Sequence, residues 1–140
     1  MSEAVRGTSL AIAGRGVLLR GDSGSGKSDL ALRLIDRGAV LVSDDYTEVH
    51  VDNGRLLARA PATIAGKIEM RGVGIVTLPA AADVPLCLLV DLDRVPERLP
   101  EGPVPTEVAG TVIPAVALAA LEASAPLKVE AALRLYGLNP

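Results

Sequence analysis

The 140 residues contain no Phe and no Trp, and only two Tyr, one Cys and one His. Without aromatic platforms there is nothing for unpaired bases to stack on. Net charge is -3 with both signs scattered, so no basic footprint marks a nucleic-acid surface. A single cysteine excludes an internal disulfide framework. Cys87 lies in the apolar run "PLCLLVDL" and reads as a buried core thiol. No apolar run reaches the ~20 residues of a membrane span, and no basic stretch followed by a long apolar one marks a signal peptide. The expected location is the cytoplasm, with no membrane partner. A chain of this length fits one domain over residues 1–140 and buries roughly 70% of its unfolded surface. Its core must be aliphatic, made of Leu, Val, Ala and Ile.

No internal repeat is visible. Residues 8–13 read as a strand, 14–16 as a tight turn and 17–20 as the antiparallel partner. Residues 28–37 read as a helix with Leu30, Ala31, Leu34 and Ile35 on one face and Gly38 at its stop. Asp29 and Arg33 form an i,i+4 pair on it. "AVLVS" (39–43) reads as a buried strand, and "YTEVHVDNGRLLARA" as a hairpin turning at Asn53-Gly54. His50 falls on the polar face of that hairpin and reads as a surface residue. Residues 73–78 and 86–92 read as strands. Pro96, Pro100, Pro103 and Pro105 make 93–107 loop-like. "PAVALAALEA" (114–123) and "PLKVEAALRLYG" (126–137) read as two helices. The second carries Val129, Ala132, Leu133 and Tyr136 on one face, Pro126 in its first turn and Gly137 at its end.

Between the second strand and the first helix stands "GDSGSGKS", the spacing G-x-x-x-x-G-K-S. Its residues are Gly21, Asp22, Ser23, Gly24, Ser25, Gly26, Lys27 and Ser28. Glycines let such a loop curl until its N–H groups converge on phosphate. Lys27 can reach β- and γ-phosphates, and the Ser28 hydroxyl can ligate Mg²⁺. Strand before and helix after are the context of a P-loop. A metal there also needs a carboxylate. Asp91 ends "LCLLVD", which looks like a Walker B strand; Asp44 and Asp45 end "VLVSDD" directly after the P-loop helix. The second pair is favoured, because that strand can lie beside the first with its end facing the phosphates. Two adjacent carboxylates offer two jobs, one toward the metal and one as base. In "GKIEMRGVGIV" (66–76), glycines at 66, 72 and 74 permit close backbone approach to a ligand. There Glu69 can ligate Mg²⁺ and Arg71 can contact phosphate; a glycine-bulged strand with a surface ion pair is the plainer reading.

"GDSGSGKSDLALRLIDRG", "LVSDD" and "IEMRGVGIV", in this order and spacing, resemble the catalytic domain of HPr kinase/phosphorylase, a bacterial serine kinase family acting on the phosphocarrier protein HPr. The likeness covers residues 14–77, with Ile68, Glu69, Arg71, Gly72 and Gly74 in the signature segment. It implies an α/β P-loop domain with a mixed β-sheet, similar to phosphoenolpyruvate carboxykinase. It implies ATP held at Gly21–Ser28 and catalysis by Lys27. Mg²⁺ would be held by Ser28 and Glu69, with Asp44 beside them, and Asp45 would take the proton of the substrate serine. "PERLP" (96–100) resembles the segment that carries a catalytic arginine, here Arg98. The family is hexameric, so a homo-oligomer is implied.

The sequence also departs from that pattern. The resemblance implies a short form like those of alphaproteobacteria, with no counterpart of the family's N-terminal domain expected in residues 1–140. Arg6-Gly7 stands where the family has histidine before glycine. An arginine holds phosphate but does not shuttle a proton near neutral pH. The late segment tied to dephosphorylation is not recognisable in 110–123. The expectation is therefore an ATP- and Mg²⁺-dependent serine kinase acting on an HPr-like carrier, with phosphorolysis the weaker direction. A nucleotide-sensing module without catalysis and a P-loop small-molecule kinase or ATPase are the alternatives.

Overall fold

The computed structural model describes residues 2–140. Nine strands form one curled mixed sheet. The strands are β1 (Ser2–Arg6), β2 (Thr8–Ile12), β3 (Arg15–Arg20), β4 (Val40–Ser43), β5 (Tyr46–Asp52), β6 (Arg55–Arg59), β9 (Val84–Asp91), β10 (Val104–Val108) and β11 (Thr111–Ala117). Along the sheet the order is β1-β5-β6-β9-β3-β2-β4, and β11 joins β9 while carrying β10 on its other side. β7 (Lys67–Met70) and β8 (Gly74–Thr77) form a separate antiparallel hairpin. The helices are α1 (Lys27–Asp36) and α2 (Ala125–Tyr136).

Local chemistry explains most of these elements. The β2–β3 turn uses Ala13 at φ 51 and Gly14 at φ 80, and the β5–β6 turn uses Asn53 at φ 52 and Gly54 at φ 75. Two successive positive φ values match the right-handed twist of a hairpin. On α1, Leu30, Ala31 and Leu34 are buried and Ile35 half-buried, as the periodicity requires. Asp29 and Arg33 pair at 2.9 Å. α2 buries Val129, Ala132 and Leu133, with Pro126 in its first turn.

The sheet has a core on each face. One lies between the sheet and the two helices and includes Leu19, Leu30, Leu34, Leu88 and Leu133. The other, with Leu18, Val49, Leu56, Leu89 and Ile113, fills the inside of the curl. Alternation along β3 sends Val17 and Leu19 to the first and Leu18 to the second. Cys87 is fully buried in the first core, and that burial pushes its thiol above the ordinary value of 9.0, against the opposing pull of Arg15. No helix among the described residues is long and apolar enough to cross a membrane.

Three sequence expectations are corrected. Residues 114–117 lie in β11, not in a helix, and 118–124 form turns rather than helix. The alanine-rich composition favours helix, but Pro114 and the buried sites of Ile113 and Ala115 against the curl favour strand. Residues 104–107, read as loop, belong to β10. Pro105 faces Pro114 across the ladder, and pairing of β11 with β9 starts only at Ala115. Two prolines can face each other because an antiparallel ladder contains pairs that exchange no N–H bonds, and β10 is an edge. Finally, β4 is not beside β3: β2 lies between them, antiparallel to both. Strand β1 went unread in the sequence. It is exposed along most of its length, so no burial pattern marks it.

α1 and α2 are tied by Arg37, whose Nε and Nη2 donate to Glu130 Oε2 and Oε1 at 3.0 and 2.8 Å. The hydrogen bond holds the Glu130 carboxyl below its ordinary value of 4.5. A depressed carboxylate contributes stability above its unfolded pKa and loses it as pH falls through the folded one. Glu130→Gln should therefore lower the melting temperature at pH 7, and thermal melts should show the gap from the parent protein closing below about pH 4.

Candidate phosphate-binding site

The loop Gly21–Gly26 joins the C-terminal end of β3 to α1. Gly21 is packed tightly against the loop: a Cβ there would lie 2.6 Å from Ser25 Oγ and 2.9 Å from Ser25 Cβ, so a larger residue would force Ser25 to shift. Gly26 at φ 96 precedes the helix, and no side chain caps the helix N–H groups behind it. Asp22 N–H donates to both Asp93 carboxylate oxygens, at 3.0 and 3.1 Å. Arg6, at the end of β1, donates from Nη2 to Ser23 Oγ at 3.1 Å.

Lys27 is only 7% exposed. Its ammonium donates to the Gly21 carbonyl, with the Asp22 carbonyl at 3.5 Å. Among the described residues no carboxylate lies within ion-pairing distance of it. A buried cation without a counter-charge is costly. The arrangement suits an anion entering the loop, which fits a nucleotide phosphate.

Asp44 joins three elements. Its Oδ1 accepts from Ser28 Oγ and from Thr8 Oγ1, both at 3.3 Å, and its Oδ2 accepts from the Glu69 backbone N–H at 3.0 Å. The P-loop helix, β2 and the β7–β8 hairpin thus meet on one carboxylate. A hydroxyl and a carboxylate oxygen side by side form a hard-donor pair that fits Mg²⁺. The Glu69 side chain is exposed, and it is the Glu69 backbone that meets Asp44. Asp45 sits at φ 65, a left-handed conformation that Asp tolerates. Its backbone is pinned twice: Asp45 N–H donates to Thr8 Oγ1 at 3.1 Å and its carbonyl accepts from Gly7 N–H at 2.7 Å. Its carboxylate is exposed and has no partner among the described residues.

The sequence-predicted residues do not all converge. Ser28 and the Glu69 backbone meet on Asp44, with Lys27 and Asp45 next to them in the chain, and no three acidic side chains among the described residues are grouped to hold a metal. Although β4 lies one strand further from β3 than expected, its end still points the same way as that of β3, because β2 between them is antiparallel to both. Asp91 ends β9 beside Arg20, and its Oδ1 accepts from the N–H groups of Asp93 and Arg94. Arg71 is exposed in the β7–β8 turn, and Arg98 is exposed in the 93–103 segment without a bond to the loop. His50 is half-buried rather than on the surface, and its Nδ1 has no partner. Thr8 and Asp93 went unnoticed in the sequence. Neither belongs to the loop motif, and each meets it only through the fold. A cleft of about 600 Å³ opens beside the loop, lined by Arg6, Arg20, Gly21, Asp22, Asp91 and Glu107 among others.

Residues 1–81 match the family model described as HPr Serine kinase C-terminal domain. The chain belongs to this family. The HPr kinase/phosphorylase of Clostridium tetani is 40% identical over 76 residues, 54% of this chain and 25% of that protein. That of Levilactobacillus brevis is 44% identical over 75 residues, 53% of this chain and 24% of that protein. The matched stretch thus spans about a quarter of these curated relatives. The solved HPr(Ser) kinase/phosphatase from Coxiella burnetii superposes with a TM-score of 0.82 at 25% identity, covering 94% of this chain and 88% of that one. The mixed α/β architecture of the family therefore extends past residue 81 to the strands and helix that the family model leaves unmatched.

Asp44→Ala should leave two hydroxyls and an N–H without their acceptor and cost about 1–3 kcal/mol. Asp45→Asn keeps the left-handed backbone and breaks no bond, so it should stay within about 0.5 kcal/mol of the parent. Urea denaturation of the two variants checks the contrast.

Proposed function

We propose that this chain is an ATP- and Mg²⁺-dependent protein serine kinase acting on an HPr-like phosphocarrier. The observation that carries this reading is Lys27, a buried ammonium in a G-x-x-x-x-G-K-S loop with no acidic partner among the described residues. Family membership supports the reaction class, and the names of the relatives support HPr as acceptor.

Catalysis in such a site is positioning and charge neutralisation. Loop N–H groups and Lys27 bind and orient the phosphates. Ser28, Asp44 and Glu69 would hold Mg²⁺, which when bound neutralises charge on the transferred phosphoryl group. Thr8 fixes both ends of the acidic pair: its hydroxyl donates to the Asp44 side chain and accepts from the Asp45 N–H. The unencumbered Asp45 carboxylate takes the proton from the acceptor serine as its oxygen attacks. In the reverse direction the same carboxylate would return that proton to the serine. Arg6 holds Ser23 of the loop and contributes charge without proton transfer, which favours the forward direction.

Two measurements test this. At ATP–Mg²⁺ concentrations 100-fold above Kd, linkage stabilises by roughly 2.7 kcal/mol, a rise in melting temperature on the order of 10 °C. No shift with any nucleotide up to millimolar would remove the phosphate-loop assignment. Asp45→Asn should abolish transfer of phosphate to a serine of an HPr-like protein, read by mass spectrometry, while nucleotide binding stays within a few-fold of the parent. Asp91→Asn should retain transfer.

A further inference from the structure

The segment after β11 reaches the helix end of the phosphate loop. A Cβ on Gly26 would meet Ala120 Cβ at 3.0 Å and Leu121 Cδ2 at 3.1 Å. Ala120 is buried, but Leu121 is 73% exposed while touching the loop. The turn is fastened there by Arg33 of α1. Arg33 Nη1 donates to the Glu122 carbonyl at 2.9 Å, Nη2 donates to the Ala120 carbonyl, and Asp29 pairs with the same guanidinium at 2.9 Å. The backbone carrying Leu121 is thus held at two carbonyls by the helix that the loop opens.

The two ends of the loop are chemically different. Arg6 and Ser23 stand at its start, and Gly26 and Leu121 stand where the helix begins. In a loop of this spacing the backbone N–H groups cradle the α- and β-phosphates while the lysine reaches toward β and γ. A nucleoside hangs from the α-phosphate. It therefore leaves the loop past Leu121 if it leaves on the Gly26 side, and through a cleft of mixed apolar and charged lining, Val5, Leu18 and Val108 beside Arg6 and Arg20, if it leaves on the Arg6 side. On the Gly26 side a flat base would cover the exposed Leu121 side chain, and taking that apolar contact out of water is favourable. The Ala120 and Glu122 carbonyls, which could otherwise read a base edge, are taken by Arg33.

We propose that Leu121 is the nucleoside platform of this site: its exposed side chain packs against the base or ribose of a bound nucleotide, and Arg33 is a positioning residue that holds it there. The inference rests on the phosphate-loop reading above and adds where the nucleoside lies. It also gives a role to the 118–122 turn, which the sequence presents as the end of a helix.

Isothermal titration with ATP and with inorganic tripolyphosphate, both with Mg²⁺, separates platform from loop. Losing the contact in Leu121→Ser should weaken ATP binding about five- to tenfold, while tripolyphosphate binds as to the parent. Leu121→Phe should bind ATP at least as well as the parent, and its melting temperature controls for folding of the turn. Equal weakening of ATP and tripolyphosphate in Leu121→Ser would make Leu121 a support of the loop and overturn the proposal, as would unchanged ATP binding. A parent protein that binds neither ligand would instead remove the phosphate-loop reading on which the proposal stands. Arg33→Ala should reproduce the selective loss of ATP affinity; loss of tripolyphosphate affinity to the same degree would count against its positioning role.

Discussion

Lys27 is a charge taken almost out of water and offered only dipoles in return. Two backbone carbonyls of the loop solvate its ammonium, and no acid balances it among the described residues. Burying a cation this way is unfavourable unless an anion completes the site. The surroundings make the placement unavoidable. Leu30, Ala31 and Leu34 lock the first turns of α1 to the sheet, and Gly21 allows the loop to fold over its own Ser25. The core that holds α1 down is thus also what forces the lysine into the mouth of the loop.

Asp44 is the complementary element. One carboxylate collects hydrogen bonds from α1, β2 and the β7–β8 hairpin, three pieces separated by up to 61 residues in sequence (Thr8 to Glu69). Its place follows from the order β3-β2-β4. β2 inserts between the two parallel strands, its first residue Thr8 stands beside the end of β4, and the threonine hydroxyl bridges Asp44 and Asp45. The same strand brings Gly7 N–H onto the Asp45 carbonyl. A turn residue with a left-handed backbone is thereby fixed without any bond to its side chain, which stays exposed.

Much of this was legible in the residues. The hairpin turn at Asn53-Gly54 carries its own backbone requirement, so local chemistry alone placed it, whereas the first turn lies at Ala13-Gly14 rather than 14–16, because no local signal marks an alanine at positive φ. α1 and α2 show their inner faces by period. Where the sequence misled, tertiary context outweighed local preference. "PAVALAALEA" has helix-forming composition, but its first residues are needed as a strand beside β9, and only the remainder turns to meet the loop. The proline-rich stretch looked incompatible with a sheet until two of its prolines were placed opposite one another at an edge. β1 has no inward face to reveal it.

By itself the sequence placed the G-x-x-x-x-G-K-S turn between a strand and a helix, because its chemistry is local: glycines permit the curl, and the lysine and serine follow at fixed offsets. It also determined an aliphatic core with one buried thiol, and a charge balance with no basic face. Only the tertiary structure shows what Asp44 and Asp91 each touch, since both end strands pointing the same way and no local signal separates them. Asp91 accepts from the N–H groups of its own turn, whereas Asp44 reaches the loop serine. It likewise brings Asp93 and Leu121 onto the loop, Arg33 onto the turn that carries Leu121, and Thr8 onto Asp44 and Asp45. Such contacts join residues far apart in sequence, and they exist only once burial of both sheet faces has fixed which strand lies beside which.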